Sequence, residues 1–317
     1  MRPLPALSIA LAALMLASLG IGAASIPVTA ALRDPQAALV LMESRLPRSL
    51  SVALTGAALS VAGALIQILV RNRFVGPDTS GTAEGAALGL LAVTILAPAS
   101  PIWLRMIAAS VAAMATTMLF LTLIRRLPAR EVMLVPIAGL VLSGVLGSVV
   151  TFIGWQTDLM QYVGSWLMSG EFSGVISGRY ELLWLAAGAA GLAWFAADRF
   201  AILALGDQVA TGLGLSARSV MRLGMAVASV VTAMVVTTVG MIPFVGLVVP
   251  NMVARVMGDD LRRSLPVIAL SGAVLVLACD LIGRLVIHPY ELPAGLILGI
   301  LGAGLFLVLL HRGPAHG

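Results

Sequence analysis

Lysine is absent from this 317-residue chain, in which all 19 basic residues are arginine. Without lysine the chain cannot form the G-x-x-x-x-G-K-[ST] loop that holds nucleotide phosphates, nor a Schiff base with a carbonyl substrate. If ATP hydrolysis drives the function of this protein, another subunit must supply the nucleotide site and its Mg²⁺.

Cysteine and histidine are almost as scarce. The chain has one cysteine, Cys279, which excludes a disulfide within the chain. The three histidines, His288, His311 and His316, stand apart from Cys279 and from any H-E-x-x-H motif. No G-x-S-x-G nucleophile motif occurs either. We therefore expect no catalytic residues, no metal site and no cofactor bound by this chain, and an intramembrane enzyme is the weakest of the functions considered.

Charge is also low, and long apolar runs take its place. Charged residues make up 10% of the chain and hydrophobic residues 60%, and the mean hydropathy is +1.07. A soluble domain is excluded, because such domains are about 25% charged. Each continuous run is about twice the length of a barrel strand, which favours helices over a barrel. We predict one all-α membrane domain over residues 1–317 with ten spans, at about 6–26, 49–70, 82–100, 104–124, 131–153, 180–198, 219–239, 241–257, 264–284 and 292–311.

The arginines indicate the orientation of this bundle. With a cytoplasmic N-terminus, 13 arginines fall inside and 6 outside, as the positive-inside rule requires. Both termini are then cytoplasmic. The arginines are scattered between apolar runs and form no continuous patch, so nucleic acid is not an expected partner, whereas membrane lipid is. The outside arginines are Arg33, Arg45, Arg48, Arg105, Arg179 and Arg284, and those inside are Arg2, Arg71, Arg73, Arg125, Arg126, Arg130, Arg199, Arg218, Arg222, Arg255, Arg262, Arg263 and Arg312.

Three polar residues within spans have two interpretations each. Glu84 and Asp280 are candidate coupling acids of a transporter, since an acid in a membrane span is functional by default. A position at the membrane interface is the alternative for both acids. For Asp280 an ion pair with Arg284, one helical turn away, is the favoured alternative. Gln67 is similarly interpreted first as a hydrogen-bond donor to a neighbouring helix.

Three stretches of sequence together carry a family resemblance. The first contains Arg45-Leu46-Pro47-Arg48, Gly63-Ala64, Gln67, Asn72 and Pro77; the second runs from Leu205-Gly206-Asp207 through Ala210 to Leu213-Gly214-Leu215; the third runs from Gly240 through Pro243, Gly246, Pro250-Asn251, Arg255 and Gly258-Asp259-Asp260 to Asp280, Arg284 and Glu291-Leu292-Pro293. In this order and spacing, from about residue 40 to 311, they resemble the FecCD family of ABC importer permeases, which carry iron-siderophores, haem and vitamin B12.

The resemblance implies a type II importer fold and a set of partners. Such permeases have ten spans, pair as a homodimer or as a heterodimer with a sister permease, sit on two ATPase subunits, and receive cargo from a substrate-binding protein. It implies that Arg45, Arg48 and Arg284 meet carboxylates of the binding protein; headgroup anchoring is the alternative for such interfacial arginines.

The second and third stretches receive roles from the same resemblance. Residues 206–219 resemble the coupling segment that docks into an ATPase, with Asp207 as its N-cap and Val209 and Leu213 as apolar anchors. The residues expected to take part in coupling are Gly206, Asp207, Val209, Ala210, Leu213 and Gly214, and those expected in gating or in its structural motif are Gln67, Asn72, Pro77, Pro243, Gly246, Pro250 and Asn251.

Departures from the family pattern bear on the cargo. Asn72-Arg73-Phe74-Val75-Gly76-Pro77 stands where the family commonly has Asn-Pro-Leu-Ala-x-Pro, and Pro250-Asn251 where it commonly has Pro-His. The Pro-Asn form favours an iron(III)-siderophore, with iron present only as cargo; a corrinoid or haem is the alternative within the family. A secondary transporter driven by an ion gradient through Glu84 or Asp280 is the alternative outside it. The expected location is the bacterial inner membrane.

Overall fold

The computed structural model describes residues 3–22, 34–127, 133–164, 170–175, 177–178, 180–258, 260–288 and 290–311, and the described part of the chain consists of helices joined by loops, with no strand. Arg2, Arg33, Arg130, Arg179, Asp259, Arg312 and His316 therefore lie outside the described residues. The helices are α1 (Pro3–Gly20), α2 (Pro35–Val40, continued by a π-helical turn Leu41–Arg45), α3 (Leu46–Val70), α4 (Thr82–Leu96), α5 (Ile102–Ile124), α6 (Leu134–Gln156), α7 (Met160–Tyr162), α8 (Leu182–Phe195), α9 (Ala197–Ala204), α10 (Asp207–Gly212), α11 (Ala217–Val239), α12 (Val245–Met257), α13 (Leu261–Leu285) and α14 (Ala294–His311).

Each predicted span coincides with a helix or a helix pair of the described chain. Six helices are long and apolar enough to cross a bilayer, and α8 with α9 makes a seventh if this pair, bent by 63°, is counted as one span. Three shorter apolar helices, α4, α12 and α14, account for the remaining predicted spans. The all-α prediction is confirmed.

Two predicted spans differ from the structure because the helix is broken beside or within them. The span predicted over 241–257 begins its helix only at Val245, because Pro243 has no N–H to donate and Phe244 adopts a left-handed φ of 65°. The span predicted over 180–198 does not stop there but bends after Phe195 and continues to Ala204. Apolar composition does not distinguish a continuous helix from a broken one.

Helix α3 occupies the centre of the bundle and packs against α8, α11, α12 and α13. Glycine permits its two closest contacts. A Cβ added at Gly56 would lie 2.3 Å from the carbonyl oxygen of Gly272 in α13, and one added at Gly63 would lie 1.8 Å from that of Gly246 in α12. The backbones therefore touch directly, which is how membrane helices associate when lipid gives no hydrophobic drive.

Helix α12 is a half-length helix that begins inside the bundle. Its 13 residues span about 20 Å, less than the 30 Å hydrocarbon core. Residues 240–244 before it are non-helical, as are residues 71–81 between α3 and α4, which contain buried Val75, Gly76, Pro77 and Ser80. Irregular backbone is tolerated at membrane depth only where protein surrounds it, so these two segments mark the interior of the transport domain.

Candidate functional site

The predicted gating residues converge where α3, α12 and the segment 71–81 meet. Pro250 has no N–H for the carbonyl of Gly246, four residues earlier in α12. The side-chain amide of Gln67 lies 3.5 Å from this freed oxygen and donates to the carbonyl of Leu247 at 3.2 Å. The interpretation of Gln67 as a donor to a neighbouring helix is confirmed.

Asn251 links α12 to the segment that follows α3. Its side-chain Nδ2 donates to the carbonyl of Arg73 at 2.6 Å and to that of Leu247 at 2.8 Å. Asn72 accepts the N–H of Phe74 at 2.8 Å, which folds the start of the segment. The structure therefore brings together Gln67, Asn72, Pro250 and Asn251 around one inner cavity of about 410 Å³, while Gly246 packs against Gly63 and Pro77.

Pro77 and Pro243 both lie at the start of α12, where Pro243 directly precedes the N-cap Phe244. A Cβ added at Gly246 would come within 2.6 Å of the Pro77 ring, so Pro77 packs on the first turn of α12. The next residue, Asp78, accepts the backbone N–H of Phe244 at 2.8 Å through its Oδ2 atom. An acceptor at the start of a helix stabilises it, because the first N–H groups have no partner within the helix. Sequence reasoning missed Asp78, although its position directly after Pro77 of the family motif could have drawn attention to it.

The predicted coupling segment, residues 206–219, contains the short helix that the sequence predicts. Helix α10 is followed by a turn in which Gly214, with φ of 78°, donates to the carbonyl of Thr211 at 3.0 Å, and α11 begins after its N-cap Ser216. The prediction of Asp207 as N-cap is wrong. Gly206, with φ of 121°, holds that position, and Asp207 is the first helical residue.

An exposed apolar row runs along this segment, starting at the residue before it. Leu205, Val209 and Leu213 recur every four residues with exposed fractions of 68%, 43% and 63%, while Ala210 is buried on the other side. Leu205 was not among the anchors predicted from sequence. Because Asp207 is not the N-cap, its carboxylate is available to another partner. It forms an ion pair of 2.7 Å with Arg71, the C-cap of α3, which connects the segment to the end of the central helix.

The three predicted docking arginines lie together at the opposite end of the bundle. With Asp280 and Glu291 they form what we term the outer arginine cluster, defined by Arg45, Arg48, Asp280, Arg284 and Glu291. Arg48 pairs with Asp280 at 2.9 Å and with Glu291 at 2.6 Å, and Arg284 pairs with Asp280. The predicted Asp280–Arg284 pair is confirmed.

Two of these arginines also donate hydrogen bonds to carbonyls at the C-terminal end of α1. Arg45 Nη1 donates to the carbonyls of Leu19 and Gly20 at 2.7 and 3.1 Å, and Arg284 Nη1 donates to those of Ser18 and Ile21 at 3.2 and 3.1 Å. A helix leaves its last carbonyls without partners and carries partial negative charge there, so guanidinium groups stabilise it. Consequently Arg45 and Arg284 are only 7% and 3% exposed.

The candidate coupling acids have different surroundings. Asp280 is held by two arginines, as described above. Glu84, near the start of α4, is buried, and its Oε2 atom has no hydrogen-bond partner among the described residues. Those same residues contain no group of three His, Cys, Asp or Glu side chains able to hold a metal ion.

One face of α6 has no neighbour among the described residues. Helix α6 packs on α4, α5 and α7, and its other side exposes Gly144, Ser148 and Thr151 along a groove of about 600 Å³. Small and hydroxyl-bearing residues are typical of helix contacts in membranes. This face is therefore suited to another protein surface or to an aqueous path.

Comparison with known proteins identifies the family. A model of the FecCD transport family matches residues 10–312. The chain belongs to the FecCD transport family. The resemblance inferred from the three sequence stretches is thus confirmed, and the chain is a multi-pass membrane protein.

Curated FecCD relatives match over most of their length. The petrobactin import system permease protein YclN of Bacillus subtilis (strain 168) is 42% identical over 282 residues, 89% of each chain. The ferric-anguibactin transport system permease protein FatD of Vibrio anguillarum (strain ATCC 68554 / 775) is 38% identical, over 88% of this chain and 89% of its own. The Fe(3+) dicitrate transport system permease protein FecD of Escherichia coli (strain K12) is 35% identical, over 96% and 97%.

A solved structure has the same fold. An inward-facing metal-chelate type ABC transporter superposes with a TM-score of 0.82 at 24% identity, over 98% of both chains. The FecCD chain therefore has the importer permease fold that the sequence predicts.

Proposed function

We propose that this chain is the permease subunit of an ATP-binding cassette importer that translocates an iron(III)-siderophore. The observation that carries the importer assignment is the exposed apolar row on the coupling segment, linked by Arg71 and Asp207 to the central helix. The cargo class rests on the relatives, whose names state petrobactin, ferric-anguibactin and Fe(3+) dicitrate. ATP and Mg²⁺ belong to separate ATPase subunits, and this chain is not itself an enzyme.

The coupling segment supports a helix-in-groove contact with the ATPase. The exposed apolar area of this row comes from Leu205, Val209 and Leu213. Burying this area in a groove of the ATPase would lower the free energy of the complex. Closure of the ATPases then moves α10, and Arg71 passes this movement to α3 and to the inner cavity.

The free face of α6 supports a path between two permease copies. In this proposal Gly144, Ser148 and Thr151 line the passage of the polar chelate, with a second copy or a sister permease opposite. Cysteines introduced at Ser148 should cross-link in the assembled transporter, whereas cysteines at Val111, exposed on α5, should not. Cross-linking at Val111 alone would contradict this assignment.

Docking of the substrate-binding protein is proposed at the outer arginine cluster. Arg48, with a 13% exposed side chain, lies nearest the surface, and its carboxylate partner Glu291 is 23% exposed. A carboxylate of the binding protein would compete with Glu291 for Arg48, while Arg45 and Arg284 would have to release the end of α1. The docked state would then differ from the free state in the position of α1.

The docking proposal is tested with Arg48→Ala and Arg48→Lys. We expect Arg48→Ala to weaken binding-protein affinity about tenfold or more and to flatten its dependence on salt, because buried interfacial charge pairs are worth a few kcal/mol. Arg48→Lys should retain most of the affinity, and Arg105→Ala, an arginine outside the cluster, should leave it unchanged. Equal affinity for all variants would overturn the docking assignment.

A further inference from the structure

A basic pocket lies between the inner ends of α5 and α11. It is about 910 Å³ in volume. Arginine and methionine side chains from both helices line it, and we term it the inner basic pocket. It is defined by Met118 in α5, Arg125 at the C-cap of α5, and Arg218, Met221, Arg222 and Met225 in α11.

The lining residues repeat with helical spacing on both walls. Met118 precedes Arg125 by seven residues, and Met225 follows Arg218 by seven, which is two turns or about 10 Å along each helix. The end of α5 meets the start of α11, where Arg125 lies 3.1 Å from Met221, so the two packed helices run in opposite directions. The three arginines and Met221 are therefore at the mouth, and Met118 and Met225 lie deeper. The pocket is thus charged at the end of the span and apolar within it.

The positive charge at the mouth is not neutralised within the described chain. Arg125, Arg218 and Arg222 form no ion pair there, and all three are exposed. Arg125 Nη2 lies 3.1 Å from Met221 Sδ, and Arg222 Nη2 donates to Ser219 Oγ at 3.3 Å. Asp207, the acid in the pocket wall, is engaged by Arg71. The positive-inside rule explains arginines at this end of the spans, but not their convergence on a cavity with an apolar floor.

We propose that the inner basic pocket binds an anionic phospholipid of the inner leaflet, such as phosphatidylglycerol or cardiolipin. The phosphate is held by Arg125, Arg218 and Arg222, and an acyl chain lies against Met118, Met221 and Met225. Basic pockets between membrane helices on this side take such headgroups. An acidic loop of the ATPase would match the arginines but would not need apolar walls two turns deep, so lipid is favoured. Since the pocket borders the coupling segment, bound lipid would stiffen the contact between α10 and α11.

The test measures lipid retained by the full-length protein. Protein purified from micelles containing equal amounts of phosphatidylglycerol and phosphatidylcholine is analysed by native mass spectrometry. Arg125→Gln/Arg222→Gln removes two pocket charges. Arg126→Gln/Arg199→Gln removes two exposed charges that do not line the pocket. Arg125→Lys/Arg222→Lys retains the charge and guards against a folding defect.

We expect the unmodified protein to retain phosphatidylglycerol selectively, and the pocket variant to lose this selectivity about thirty-fold, since each arginine near an anionic lipid contributes about a fivefold factor. The control variant should change by less than about threefold, and the lysine variant should bind as the parent does. Millimolar inorganic phosphate should not displace the lipid. Equal retention by the pocket and control variants would overturn the proposal. It would also be overturned if the pocket variant kept its lipid but lost the ATPase subunit, which would assign the arginines to that partner.

Discussion

At the scale of single residues, glycines at helix contacts set how closely this bundle packs. Gly63 and Gly246 allow α3 and α12 to touch beside the inner cavity, and Gln67 then reaches the carbonyl that Pro250 leaves free. A single added methyl group at this contact would separate the helices and remove the hydrogen bonds beyond it.

Gly63→Ala is therefore expected to destabilise the protein by at least about 2 kcal/mol, because the added Cβ would meet a backbone oxygen that no side-chain rotation can relieve. Thermal unfolding in detergent measures the effect. Gly188→Ala in α8 is the matched control, since nothing lies within 4 Å of a Cβ added there. Equal unfolding temperatures for the two variants would contradict the packing described.

Asp78 is the second residue to test, because its substitution should affect only the start of α12. Asp78→Ala should cost about 1–2 kcal/mol, the usual effect of removing a side-chain cap, and should speed hydrogen exchange at Phe244 and Val245. Asp78→Asn keeps an acceptor and should retain most of the protection. Unchanged exchange in Asp78→Ala would mean that the contact does not hold the start of α12.

At the scale of elements, the coupling segment is joined to α3 through the pair of Arg71 and Asp207. Both side chains are about half exposed, so the pair adds little to stability, and its expected contribution is to transmission of movement. Arg71→Asp should lower uptake per ATP hydrolysed severalfold without lowering the unfolding temperature. The charge-swapped Arg71→Asp/Asp207→Arg should restore coupling; failure to restore it would remove the pair from the mechanism.

Leu213 tests the apolar row itself. Leu213→Asp should prevent ATPase docking or uncouple hydrolysis from transport, since a charge entering an apolar groove is costly. Leu39→Asp, at nearly the same exposure on α2, is the control and should leave coupling intact. Copurification of the ATPase subunit and the ratio of uptake to hydrolysis report the difference. Normal values for Leu213→Asp would count against the row as the docking element.

Most elements could be predicted from the sequence, because the apolar runs that form α3, α5, α11 and α13 span a bilayer and end at polar residues. Pro243 indicates a kink near the break at Gly240–Phe244, but the exact start of α12 could not be predicted, since the residues of the break are as apolar as the helices beside them. The burial of Arg45 and Arg284 was also missed, because their carbonyl partners on α1 lie 25 to 266 residues away in sequence. Motif order located the candidate site residues, but it did not assign a partner to each.

At the scale of the whole molecule, the two proposed docking sites lie at opposite ends of helix α3. The outer arginine cluster includes Arg48 in the first turn of α3, and Arg71, the C-cap of the same helix, pairs with Asp207 of the coupling segment. A helix of 25 residues extends about 38 Å, so α3 connects the proposed docking face to the proposed ATPase face. Rigid movement of α3 against α12 would open and close the cavity beside Gln67.

The central claim is that ATP hydrolysis by partner subunits drives entry of an iron(III)-siderophore through this chain. The most direct measurement is uptake of radiolabelled ferric siderophore into liposomes that contain this permease with its ATPase subunits and a loaded substrate-binding protein. We predict uptake that requires ATP and the binding protein and that persists when proton and sodium gradients are abolished. Uptake that follows an ion gradient in the absence of the ATPase, and that is lost in Glu84→Gln, would contradict the account and indicate a secondary transporter.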